Sequence, residues 1–292
     1  MGDSRPREMV RGRSLYLYAV SYVIISSLQY SFTKNGLQYA DPFTLMAARY
    51  LIASSAVFLY ARRFKPSLDR DTILISLFTF TSTLLWILGL ERVSPAQSAV
   101  FSYTMPLFAI PIAALVLNER ATRLGWAGTT LGFLGVVIYG LSFGGGGGTV
   151  LGAVLTVGNA FFWGLYSVLY RKTKKQDATS IVGTQLLVCG ILFAALAPVT
   201  FHVNVSPTFL LDLGYISIMG GFVLFLLWSG MLRLERVGRV TTMAFAVPAM
   251  TTLVEAIETG VAPTAVTVGG ICIMFLGIYI SRIQETVETG SE

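Results

Sequence analysis

Leu84–Tyr139 reads LLWILGLERVSPAQSAVFSYTMPLFAIPIAALVLNERATRLGWAGTTLGFLGVVIY, and its pattern returns without a gap 142 positions later in Leu226–Ser281. Leu84-Leu85-Trp86 comes back as Leu226-Leu227-Trp228, Pro106 as Pro248, Thr122 as Thr264, Gly128 as Gly270, and Phe133-Leu134-Gly135 as Phe275-Leu276-Gly277. Identity between the copies is low, and what is kept at the constant offset is Pro, Gly and Trp. Both copies are long apolar runs broken by a central proline, the pattern of a duplicated membrane protein whose working site lies between its halves. The earlier part of each half corresponds at an offset near 136, with Tyr30-Ser31 matching Tyr166-Ser167, Asp41 matching Asp177, and Arg49 facing Gln185.

Composition points the same way. Hydrophobic residues make up 54% of the chain and charged residues 12%, and the mean hydropathy is +0.70, outside the range of a soluble domain. The net charge of +6 is carried by short clusters between apolar runs, not along one face as nucleic-acid binding requires, so no nucleic-acid partner is expected. Cys189 and Cys272 lie inside apolar runs, where a thiol acts as a small hydrophobe. Met1–Arg13 is polar and basic with no cleavage-site pattern, so the first apolar run is expected to stay as a helix.

Runs of roughly 17–25 apolar residues suffice to cross the hydrocarbon core. Ten are expected: Leu15–Thr33, Phe43–Tyr60, Thr72–Leu90, Pro95–Leu117, Thr122–Leu141, Val150–Tyr170, Ala178–Thr200, Thr208–Leu232, Val240–Glu258 and Thr264–Ile280. Counting Lys and Arg in alternate loops gives eighteen on one side and two, Lys34 and Arg92, on the other, with Arg49 left inside a span. Basic loops stay cytoplasmic, which puts both termini in the cytoplasm, and the minimal loops suit a cell (plasma) membrane. Five helices per half is an odd number, so the second half enters the membrane upside down. The expected fold is an all-α polytopic membrane protein of ten transmembrane helices in two inverted five-helix repeats, 1–143 and 149–292. Gly144–Gly148 forms the linker between them, since a phosphate-binding loop would need Lys and Ser or Thr where Thr149 and Val150 stand.

At this point the chain resembles the ten-helix EamA-type transporters of the drug/metabolite transporter superfamily. The resemblance covers both halves and is strongest from Ser94-Pro95-Ala96 through Pro106 to Asn118-Glu119-Arg120, with Lys34 and Arg49 also at family-like positions. The second half keeps Pro248 but has Val261 opposite Glu119, and it carries Glu255 and Glu258 opposite Ala113 and Val116. The resemblance implies metabolite transport by alternating access and leaves the metabolite open.

An ionisable side chain inside a span costs several kcal/mol unless it faces a wet cavity or a partner. Arg49 lies roughly 10 Å from the outer end of its helix at ~1.5 Å per residue, and Glu255 lies at a similar depth in the ninth helix. They are expected either to pair in the empty protein or to bind the two charged ends of a zwitterion. The alternative is a structural ion pair or snorkelling to the interface. Glu255 and Glu258 share a helix face; if that face lines the cavity, burial and mutual repulsion favour protonation and hence proton coupling, whereas Glu258 at the water interface would take no part. Glu119, beside Arg120, is expected in a helix-end salt bridge. Pro106 and Pro248, with Pro111 nearby, remove backbone hydrogen bonds and are expected to bend the fourth and ninth helices about the site. Tyr22, Gln29, Tyr30, Trp86, Gln97, Tyr103, Asn159, Trp163, Tyr166, Gln185 and Trp228 are the candidate lining. Gly125, Gly128, Gly132 and Gly135 facing Gly269, Gly270 and Gly277 allow close packing of helices five and ten, and a dimer face is the alternative, leaving the protein a monomer or homodimer.

These features favour a secondary transporter, an exporter or exchanger, of a small polar metabolite, with amino acids the first class to consider and no cofactor or metal. A multidrug or organic-cation exporter, with Glu255 as counter-charge, and a lipid-handling flippase are the alternatives. An intramembrane enzyme is disfavoured, because His202 falls in an outer loop, HExxH is absent, and the aspartates are taken to lie outside the spans.

Overall fold

The computed structural model describes residues 4–61, 65–119, 122–141, 149–173 and 176–288, so the glycine run at 144–148 lies outside the described residues. Among those described, the chain forms ten helical units: α1 Ser4–Gly36, α2 Pro42–Tyr60, α3 Arg70–Leu90, α4 Pro95–Leu117, α5 Arg123–Leu141, α6 Val150–Lys172, α7 Ala178–Val199, α8 Pro207–Leu234, α9 Val237–Thr259 and α10 Ala265–Glu288. Seven of them, α2 to α4 and α6 to α9, are long and apolar enough to cross a membrane, and α10 carries the shorter apolar stretch Ala265–Gly277. No strand forms among the described residues, where only an isolated bridge joins Ala40 to Val203. Large apolar side chains such as Leu59, Leu115 and Ile257 point outward, as a hydrocarbon solvent requires.

The sequence repeat is also a repeat of local structure. Asp41 and Asp177 cap the starts of α2 and α7, and Thr122 and Thr264 cap α5 and α10 through Gly125 N and Thr267 N. Each cap satisfies a backbone donor that a helix start leaves unpaired. α4 and α9 end at Asn118 (φ 55°) and Gly260 (φ 70°), left-handed residues at equivalent places. Both helices are interrupted, α4 at Tyr103–Thr104 and α9 at Ala244–Phe245. The breaks fall just before Pro106 and Pro248, which lack the N–H that would continue the helical ladder.

Packing is reciprocal between the halves. α2 packs on α7 and α5 on α10, while α3 packs on α6 as α8 does on α1, and α4 on α6 as α9 does on α1. Gly277 lets α10 touch the α5 backbone, since a Cβ there would sit 2.5 Å from both Gly128 O and Gly132 N. Polar contacts tie the ends together. On one face Lys34 Nζ donates to Leu90 O (2.6 Å), Glu91 O (3.0 Å) and Val93 O (2.9 Å). Glu255 there accepts from Ser94 Oγ (3.0 Å) and Ala96 N (2.7 Å). On the other face Glu119 pairs with Arg171 Nε (3.0 Å) and accepts from Val237 N (3.0 Å). Arg171 Nη1 also donates to Leu232 O (2.7 Å) and Arg233 O (3.1 Å). The first helices of the two halves, α1 and α6, therefore end on opposite faces.

Candidate functional site

A cavity of about 60 Å³ lies at the centre, lined by residues of α1, α2, α3, α4, α6 and α8. It has room for several waters at the ~10–15 Å³ each needs. Arg49, 2% exposed, is the one charged lining residue among those described. Its position is fixed by an irregularity in α8, where Ile218–Val223 winds as a π-helix. Such turns free carbonyls from the regular ladder and recur at functional sites. Arg49 Nη2 donates to Gly220 O at 3.0 Å. With the Gln29 amide oriented by its hydrogen bonds, Gln29 Oε1 accepts from Arg49 Nη2 and Nε2 donates to Gly220 O, both at 3.1 Å. The guanidinium carbon lies 5.3 Å from the Tyr50 ring centre and 5.5 Å from that of Trp86, within cation–π range.

The neutral polar groups are largely tied to one another. Tyr103 Oη donates to Tyr22 Oη (3.3 Å) and lies 3.2 Å from Ser26 Oγ. Tyr50 Oη and Thr83 Oγ1 are 2.6 Å apart. Asn159 Nδ2 donates to Ser102 Oγ (2.9 Å), and Asn159 Oδ1 accepts from Ser82 Oγ (2.6 Å). Tyr30 stands edge-on to Trp86 at 5.5 Å. Ser102 and Tyr103 reach the cavity at the break in α4, so the proline-linked interruption shapes its wall.

Of the expected lining, Arg49, Trp86, Tyr103, Asn159, Tyr30, Tyr22, Gln29 and Trp163 meet at this cavity. Others stand outside it. Trp228 lies tilted against Tyr22 (4.9 Å) and donates to Ser167 Oγ (3.1 Å). Tyr166 lies behind Trp163 (5.0 Å), and Gln185 donates to Thr79 Oγ1 (2.6 Å). Gln97 completes the capping box of α4 with Ser94. Ser26, Tyr50, Thr83, Ser102, Met105, Leu224 and Phe225 also line the cavity; they are neutral and carry no sequence signal, apart from Tyr50 following Arg49.

Three expectations need correction. Arg49 and Glu255 do not pair in this structure; Glu255 borders a separate cavity of about 160 Å³ with Ser94, Tyr139 and Thr252. The Glu255 side of α9 faces the start of α4 and not the central cavity. Glu258 is exposed and does not share the Glu255 cavity. An aspartate does lie within a span, Asp212 in α8, 3% exposed with Oδ2 unpartnered. Glu119 forms the expected helix-end bridge, its partner being Arg171.

Comparison with known proteins agrees with this architecture. The EamA-like transporter family model matches residues 13–141 and again 150–283. A protein of Acidianus ambivalens described as an uncharacterized transporter in the sor 3' region is 44% identical over 242 residues, 83% of this chain and 94% of that one. A probable amino-acid metabolite efflux pump of Salmonella typhimurium is 23% identical over 290 residues, 92% of this chain and 96% of its own. A crystal structure superposes with a TM-score of 0.78 at 19% identity, covering 94% of this chain and 98% of that chain, a likeness of fold. With both of its stretches matched, the chain is a polytopic membrane protein and not an enzyme, and it belongs to the EamA-like transporter family.

Proposed function

We propose that the protein is a secondary transporter, an exporter or exchanger, that carries a small polar metabolite through the central cavity by alternating access. The units would be residues 1–143 and 149–292, set as inverted repeats of five spans each, with both termini on the cytoplasmic side of a plasma membrane. The observation that carries this reading is the cavity itself: helices of both halves line it, and it holds an arginine, hydroxyls, two amides and aromatic faces. Arg49, Trp86, Tyr103, Asn159 and Tyr30 are the substrate-binding residues of this proposal, with Trp228, Tyr166 and Gln185 supporting them from behind. Pro106 and Pro248 mark the places where α4 and α9 would flex. Amino acids and related carboxylates are the first class to test, in keeping with the name of the Salmonella relative.

The organic-cation reading loses its counter-charge, because Glu255 lies outside the central cavity. The test is counterflow in proteoliposomes loaded with amino acids, organic acids or amines. Saturable exchange of one class, reduced about tenfold or more in Arg49→Met, is the expected result, a factor equivalent to at least ~1.4 kcal/mol. Exchange that neither saturates nor differs from protein-free liposomes for every class would overturn the reading.

A further inference from the structure

The central cavity has donors to spare and no acid. Among its lining residues, the buried side-chain atoms left without a hydrogen-bond partner are Arg49 Nε and Trp86 Nε1, both donors. Arg49 Nη1 has only the Met46 sulfur, at 3.7 Å, a weak acceptor. Three neutral acceptors in or beside it are engaged: Asn159 Oδ1 by Ser82, Ser102 Oγ by Asn159, and Gly220 O by Arg49 and Gln29. Among the described residues, no Asp or Glu lines the cavity. A buried guanidinium with no carboxylate is costly, and the cost falls when a ligand supplies the negative charge. A cationic ligand would meet the like charge of Arg49, which already lies over the Tyr50 and Trp86 faces.

We propose that the central cavity takes an organic anion, its carboxylate or equivalent oxyanion held by Arg49 with help from the Trp86 N–H, and its apolar or aromatic body against Tyr22, Trp163 and Phe225. The assignment rests on the reading of this cavity as the transport site. It ranks a plain carboxylate above the matching zwitterion, since nothing in the cavity offers an ammonium group a negative partner.

The test uses four phenylalkyl probes: 3-phenylpropionate, phenylalanine, phenethylamine and 3-phenylpropanamide, with benzoate and acetate as smaller anions. Binding to the detergent-purified full chain is read by quenching of tryptophan fluorescence and by thermal shift. The anion should bind roughly ten- to a hundredfold more tightly than the amide, the span expected of one charge-assisted contact, with phenylalanine between them and phenethylamine silent. Arg49→Met should lose this preference. Gln29→Glu guards against misfolding of that variant: it sets a carboxylate where the Gln29 amide now meets Arg49, so it should raise the melting temperature while weakening the anion at least tenfold. Equal binding of amide and anion, tighter binding of the amine, undiminished anion binding in a stabilised Gln29→Glu protein, or silence with all three anions would each overturn the proposal. Saturable flux of the amine or amide that persists in Arg49→Met would refute the anion assignment and leave transport standing. Tight, Arg49-dependent anion binding with no flux would do the reverse.

Discussion

Asp69 sets the start of α3. Its Oδ1 accepts from Asp71 N and Thr72 N at 3.1 Å, and its Oδ2 accepts from Ser67 Oγ (2.6 Å) and Thr72 Oγ1 (2.7 Å). The Ser67 and Thr72 hydroxyls hold the carboxyl down to about 2. The folded value lies below the unfolded one of about 4, so the stability it contributes is present above pH ~4 and is lost as pH falls towards 2. Asp69→Ala should therefore cost about 1 kcal/mol at neutral pH, and the gap from wild type should close between pH 4 and 2 in thermal melts of the detergent-solubilised protein. A gap that does not change with pH would contradict this account. Gly220 is the second residue whose identity matters, since a Cβ there would meet the Gln29 side-chain amide at 2.5 Å. Gly220→Ala must displace the amide that shares Arg49. It should weaken anion binding and cost ~1–3 kcal/mol as an overpacking change, and unaltered binding would show that Gln29 does not position the guanidinium.

The helices divide by what their glycines touch. In α10 a Cβ at Gly277 would strike α5 backbone, which cannot swing aside, whereas at Gly269 it would meet nothing within 4 Å. Gly277→Ala should destabilise by about 1–3 kcal/mol, and Gly269→Ala should be neutral or stabilising by up to ~1 kcal/mol from helix propensity. Similar melting temperatures for the two would refute close packing through Gly277. These elements were legible in the sequence because Pro, Gly and capping Thr act locally: Pro106 and Pro248 announced the breaks, Thr122 and Thr264 the starts, and Gly277 the close approach. Arg49 was legible because charge inside an apolar run is rare. The direction of Glu255 was not, since position along a helix gives depth, whereas which neighbour a face meets depends on packing. The π-helix at Ile218–Val223 was hidden for a related reason: Gly220-Gly221 reads as ordinary small-residue packing until Arg49 and Gln29 are seen to approach it. Asp212 gives little signal of its own because the apolar residues around it dominate the run.

At the scale of the molecule the two faces are fastened by the same device used twice. Lys34, at the end of α1, donates to Leu90 O and Glu91 O, and Arg171, at the end of α6, donates to Leu232 O and Arg233 O; 90 plus 142 is 232 and 91 plus 142 is 233, the repeat offset. Glu119 caps α9 at Val237 N, and Glu255 caps α4 at Ala96 N. Val237 matches Pro95, which has no N–H to give, so on that face the bond moves one residue on. Each carboxylate joins a helix of one half to a helix start of the other, and both contacts are made in this structure. Each is a charge-assisted bond of ~1.5–3 kcal/mol, so removing its charge should shift the balance between closed and open about tenfold or more. We expect Glu119→Gln to open the face bearing Arg171 and Glu255→Gln to open the face bearing Lys34. With Ser102→Cys as a reporter in the cavity wall and the native cysteines replaced by serine, a membrane-impermeant maleimide applied to vesicles of either orientation reads the two faces separately. Glu119→Gln should speed labelling from one side and Glu255→Gln from the other. Acceleration from the same side in both variants, or in neither, would mean that these contacts brace the helices without gating the cavity.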